Sequence, residues 1–165
     1  MAKATAKRKH KSSSRGTARK SSARRPIKTA VKTRAKAKRP PKQGFVASHL
    51  EGATFEPGLR AYAHYRDLGI AKATGGLARA HVIRMMPPFD AKEVSKRHYH
   101  DVDFQMIYVL KGWMKSEFDG VGTITMREGS CWLQPPKIKH TVLGYSDDCE
   151  VLEIILPADF ETVDV

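Results

Sequence analysis

From Leu77 onward the chain is written in short stretches where apolar and polar residues alternate. In LARAHVIRMM, Ala80, Val82 and Arg84 stand opposite His81, Ile83 and Met85. A period of two marks a strand whose two faces differ. Pro87-Pro88 and Asp90 break this run. KRHYH, FQMIYVLKG, WMKSEFDG, GTITMREG, SCWLQPP, KHTVLGY and CEVLEIILP follow, separated by Asp119-Gly120, Glu128-Gly129, Pro135-Pro136 and Ser146-Asp147-Asp148. Short strands with turn residues at this spacing predict an all-β, antiparallel sandwich or barrel. No helical period stands out, and the strand–helix alternation of a parallel fold is absent.

One run departs from simple alternation. In FQMIYVL, Gln105, Ile107 and Val109 point one way and Phe104, Met106, Tyr108 and Leu110 the other. Both sets are largely apolar, so the reading expects both faces to be covered, the second by an N-terminal arm or by a second subunit. CEVLEIILP has the same character, and a homodimer through the sheet face is expected. Cys131, in the strand before Pro135, is expected to be a small buried apolar residue.

Upstream the pattern weakens. Residues 45–76 carry Gly52, Pro57-Gly58 and Gly75-Gly76 as punctuation, and AYAHYRDLGI fits either a strand pair or an irregular arm packed on the barrel. Residues 1–44 have almost no large apolar residue before Ile27. The organisation read from the sequence is therefore a tail and linker over 1–44, an arm over 45–76, a barrel over 77–157 and a C-terminal extension over 158–165.

Charge sharpens that division. The net charge of +13 over 165 residues is confined to one end. Residues 1–43 hold 17 Lys and Arg and no acidic residue, which leaves 13 basic against 17 acidic residues beyond them. Such a segment buries too little apolar area to offset its ordering entropy and is expected to be disordered. It resembles the tails of linker histones and bacterial histone-like proteins. Lys7, Arg8, Lys9, Arg24, Arg25, Lys36, Lys38 and Arg39 are the candidate contacts to nucleic acid, made without base preference. Two cysteines form no disulfide framework, no apolar run is long enough to span a bilayer, and the basic start lacks the apolar core of a secretory signal. The expected location is cytoplasmic and, through the tail, nucleoid-associated.

The candidate chemistry lies in RHYHDVDFQMIYVLKG and GSCWLQPPKIKH. His98 and His100 are two apart in a β context, so both imidazoles leave the same face. His140 follows the turn at Pro135-Pro136. Three histidines gathered on β-structure suggest a metal site. His49, His64 and His81 belong to no such pattern and are expected to be structural or exposed.

These two segments resemble the motifs of the cupin superfamily, small double-stranded β-helix proteins of the jelly-roll type. The first family motif is Gly, five residues, His-X-His, three or four residues, Glu, six residues, Gly. His98-Tyr99-His100, Gln105 and Gly112 fit its spacing. The second is Gly, five residues, Pro-X-Gly, two residues, His, three residues, Asn, and Gly129, Pro135-Pro136-Lys137 and His140 fit. Four positions depart: Lys92 for the leading Gly, Gln105 for the Glu, Lys137 for the Gly of Pro-X-Gly, and Gly144 for the Asn. The resemblance, over about 77–157, implies a cupin barrel binding one divalent transition metal (Fe, Mn, Ni, Cu or Zn) through His98, His100, His140 and the position of Gln105. Gln in place of Glu leaves the ion and its ligands near +2 rather than +1, which favours a small anionic or chelating ligand. The implied function is a metal-binding cupin, with a dioxygenase-like reaction as the enzymatic reading. The alternative is a non-catalytic ligand-binding or sensor cupin attached to nucleic acid by the tail. A metal-free isomerase-type cupin is disfavoured by the intact histidine triad.

Overall fold

A computed structural model describes residues 41–58 and 60–165. Numbered in chain order, the strands are β1 (Glu56–Pro57), β2 (Ala63–Asp67), β3 (Arg79–Met85), β4 (His98–Asp101), β5 (Phe104–Lys111), β6 (Trp113–Phe118), β7 (Gly122–Arg127), β8 (Cys131–Leu133), β9 (His140–Tyr145), β10 (Glu150–Leu156) and β11 (Glu161–Asp164). They form two sheets in the orders β1-β2-β3-β10-β5-β8 and β11-β4-β9-β6-β7, every pair antiparallel. The double-sheet β architecture expected from the alternation is present. The disordered tail and its candidate contacts fall in residues 1–40, outside the described residues.

The core lies between the sheets. Met85, Ile107, Val109 and Val151 from the six-stranded sheet meet Met114, Phe118, Met126 and Tyr145 from the five-stranded one. These are the inward members of the alternating runs, and burying them is the main drive to fold. Gly112 joins β5 to β6 with φ at 68°, and a Cβ there would stand 2.1 Å from Ser146 Oγ. Positive φ and this close approach both require glycine.

Three segments add detail to the sequence reading. Residues 45–76 contribute β1 and β2 to the edge of the six-stranded sheet, followed by a single helical turn, α1 (Ile70–Ala73). A second turn, α2 (Ala91–Val94), opens where Asp90 accepts a hydrogen bond from Lys92 N at 2.9 Å. Turns this short leave no helical period to detect. Residues 161–164, read as part of an extension, form β11 and pair with β4.

The outer face of β5 is only partly covered. Phe104, Tyr108, Leu110 and neighbouring Leu133 are exposed. The arm lies over the other half of the sheet, where Phe55 packs under the Arg84 guanidinium at 3.7 Å and Ala80 and Val82 are buried. Cys131 is exposed, contrary to expectation. Its register opposite Tyr108 places it on this outer face, on the edge strand β8. The buried thiol is Cys149, which burial pushes up to about 12, so it is inert.

Candidate metal centre

β4 and β9 are neighbours, and His98 sits directly opposite His140 in their register. His100, two residues on, shares the face of His98. The three imidazoles therefore converge, with one ligand atom from each lying within 4.8 Å of the others. Ring centroids are 4.2 Å apart for His98 and His140, 5.1 Å for His98 and His100, and 5.3 Å for His100 and His140.

Each ring is fixed from behind through Nδ1. His98 Nδ1 donates to Lys96 O at 2.8 Å and His140 Nδ1 to Ile138 O at 3.1 Å, while His100 Nδ1 is hydrogen-bonded to Thr162 Oγ1 at 2.9 Å. A proton on Nδ1 leaves the Nε2 lone pair free to bind an ion, the tautomer that metal-ligating histidines use. Burial pushes His100 and His140 down to about 4 and lowers His98 as well. All three are therefore neutral, as ligands must be. The residues fit a divalent ion: three neutral nitrogens share one face of a cavity of about 990 Å³, with open space on the other side. Arg60 stands at the edge of that cavity, bonded to Asp164 at 2.9 Å.

The opposite wall comes from the six-stranded sheet. Gln105 is 1% exposed and lines the same cavity, with its amide hydrogen-bonded at both ends. Its Nε2 donates to Glu153 Oε1 at 2.5 Å and its Oε1 accepts from Gln134 Nε2 at 2.8 Å. Glu153 also accepts from His81 Nε2 at 2.6 Å. Burial pushes the Glu153 carboxyl up, but the donors and charge supplied by His81 and Gln105 outweigh it and leave the group ionised. Gln134 closes the series, with Trp132 Nε1 donating to its Oε1 at 3.4 Å and its own Nε2 lying 3.3 Å from His140 Nε2.

Sequence reasoning brought together His98, His100, Gln105 and His140. It missed Glu153, His81, Gln134 and Thr162. A signal existed for two of them: Glu153 shares the inward register of Val151 and Ile155, and His81 that of Ile83 and Met85. A polar residue among inward apolar positions needs a buried partner. Across β10 and β3 those two face each other directly. For Gln134 and Thr162, which lie in a loop and in a strand read as an extension, no pattern pointed inward.

The departure at Lys137 also has a structural outcome. The turn keeps its positive φ, and Lys137 adopts it at 61°. Its N donates to His100 O at 3.1 Å, tying the turn before His140 to the strand of the other two histidines.

Comparison with known proteins follows the same lines. A family model described as a cupin domain matches residues 88–155. A search by sequence among curated proteins found no match. Among solved structures, the polyketide cyclase RemF from Streptomyces resistomycificus is similar with a TM-score of 0.59, 18% identity, and coverage of 73% of this chain and 85% of that one. KdgF from Halomonas sp. gives 0.54 at 15% identity, over 67% of this chain and 94% of that one. Oxalate decarboxylase from Bacillus subtilis gives 0.55 at 15% identity, over 74% of this chain but 32% of its own length. Identities this low speak for the fold alone. Among the described residues no helix is long and apolar enough to cross a membrane. Two motifs in order, a matching family model and a barrel that gathers the motif histidines agree: residues 88–155 belong to a cupin domain.

Proposed function

We propose that the domain holds one divalent transition metal through Nε2 of His98, His100 and His140, and that the ion takes a small anionic or chelating ligand from the cavity. The observation that carries this is the convergence of the three imidazoles, each held from behind at Nδ1, with ligand atoms within 4.8 Å of one another. When bound, such an ion supplies a Lewis acid of charge near +2 to an oxygen-rich ligand. Gln105 is held by Glu153 and Gln134, and its Oε1, which accepts one hydrogen bond, keeps a second lone pair toward the ion or its ligand. The surface of the cavity is largely apolar, and Arg60 at its edge suits an anion.

The enzymatic reading is a dioxygenase-like oxidation; the alternative is a binding or sensor module without turnover. The 17 cations of residues 1–43 support non-specific attachment to nucleic acid in either case. The exposed apolar face of β5 and β8 supports a second copy of the chain as its cover, giving a homodimer.

The test is metal content and affinity. Protein purified without an affinity tag carries close to one equivalent of a transition metal by elemental analysis. Replacing His98, His100 and His140 together by Ala abolishes it while the β-rich circular dichroism persists. Equal metal in the triple variant sinks the assignment. Dioxygen uptake with small hydroxy acids and diketones then separates enzyme from binder.

A further inference from the structure

The hydrogen bonds behind the site have only one possible direction. Glu153, ionised, can only accept, so the Gln105 atom facing it at 2.5 Å is the amide nitrogen. Gln105 therefore shows its oxygen to Gln134, and Gln134 must answer with its own nitrogen, 2.8 Å away. That leaves the Gln134 oxygen toward the Trp132 indole N–H, which can only donate. An acceptor-only group at one end and a donor-only group at the other exclude the flipped amides.

Gln134 Nε2 has two hydrogens. One goes to Gln105 Oε1. The other points at His140 Nε2, 3.3 Å away. His140 gives its Nδ1 hydrogen to Ile138 O, so Nε2 offers a single lone pair. That lone pair is the one an ion at the three histidines needs. Two claimants compete for it, and the ion, as a cation, repels the N–H that loses. Gln134 is 4% exposed and its amide is held by Gln105 and Trp132, so the displaced N–H stays beside the ion in a buried place. A buried donor without a partner is costly. The group nearest to satisfy it is an acceptor atom on whatever the ion binds next to His140.

We propose that Gln134 is the residue that selects the ligand: its second amide N–H, released when an ion takes His140 Nε2, donates to an oxygen of the ion's ligand. The site thereby prefers oxyanions, which offer a spare lone pair beside the metal, over neutral nitrogen donors, which do not. This rests on the metal-binding reading above and adds to it the class of ligand and the side chain that recognises it. Position 134 falls among the unspecified residues of the second motif, between Gly129 and Pro135, and no charge is required of it.

The experiment uses the full chain loaded with Co(II), whose visible spectrum reports both uptake and ligand exchange, with acetate and imidazole as probes. The parent takes up Co(II) and binds both. Gln134→Leu and the longer Gln134→Met take up Co(II) at least as tightly, because the rival for the lone pair is gone. They lose acetate affinity on the order of tenfold, while imidazole affinity stays within a factor of two or so of the parent. On the Zn(II)-loaded parent, acetate shifts the side-chain amide resonances of Gln134 and imidazole does not. Equal loss of both probes in the variants would make Gln134 a structural residue only, and an acetate affinity that does not change would remove it from the site. An amide resonance deaf to acetate overturns the proposal without recourse to any variant. Failure of the parent to take up Co(II) shows in the first titration, before any probe is added, and brings down the metal reading along with this one.

Discussion

On the five-stranded wall of the cavity each imidazole is anchored through one nitrogen and leaves the other facing inward. On the six-stranded wall His81, Glu153 and Gln105 answer one another's donors and acceptors, and the series runs on through Gln134 to Trp132. The first wall turns three nitrogens toward the cavity. The second is hydrogen-bonded within itself and carries a negative charge on Glu153. Glu153 raises the proton affinity of both His100 and His140 against their burial. The same field draws a metal cation toward the histidines without a carboxylate touching it. A charge lost from the liganding position at Gln105 is thus partly regained one strand away, on β10.

The largest expected break in this contrast comes from Glu153→Ala. Removing one member of a buried, hydrogen-bonded pair leaves its partners unmet, at a cost of about 3–5 kcal/mol. Denaturant unfolding measures it, and a change below about 1 kcal/mol would mean that the second wall is not a connected network. A smaller effect isolates the first wall by pH. The folded-state affinities of His98, His100 and His140 for protons are depressed by burial, toward about 4 for the latter two. The unfolded chain binds protons near the ordinary value of about 6.5. Their contribution is therefore full above about 6.5 and is lost as pH falls toward about 4, because there the unfolded state binds more protons. Glu153 and Arg60 both act on these rings, in opposite directions, and neither changes charge over most of that window. A variant with the three histidines replaced by Asn has a flatter melting profile between those limits; an identical acid limb would show that other groups cause it. The smallest effect is at the joint between the walls. Lys137→Gly relieves a left-handed residue in the turn that carries the chain from Gln134 to His140, and raises stability by about 1 kcal/mol. Thermal melting should rise by a few degrees; a fall would mean that the ion pair of Lys137 with Asp101 outweighs the backbone gain.

Much of the first wall was legible in the sequence, since a strand turns a spacing of two residues into a shared face. His98-X-His100 needs only that rule, and His140 needed the turn at Pro135-Pro136 to mark where the next strand begins. The second wall was not legible, because its members come from β3, β5, β10 and a loop and meet only through pairing between strands distant in sequence. Gln105 was visible as a departure from a pattern, but not what held it. The outer face of β5 was read as apolar, but alternation reports which residues share a face and not what lies against it. Cys131 failed for the same reason: its strand is at the edge of the sheet, and edge position is a property of topology.

Thr162, which holds His100, lies on the last strand of its sheet in chain order, more than sixty positions after the ring it orients. Synthesis runs from the N-terminus. His98, His100 and His140 therefore all leave the ribosome before the hydroxyl that seats one of them exists as part of the fold. A nascent chain stopped before β11 can pair β4 with β9 but leaves His100 free to rotate. On the proposed metal reading, the final geometry of the three histidines is a late event, timed by the arrival of a strand that carries no ligand of its own.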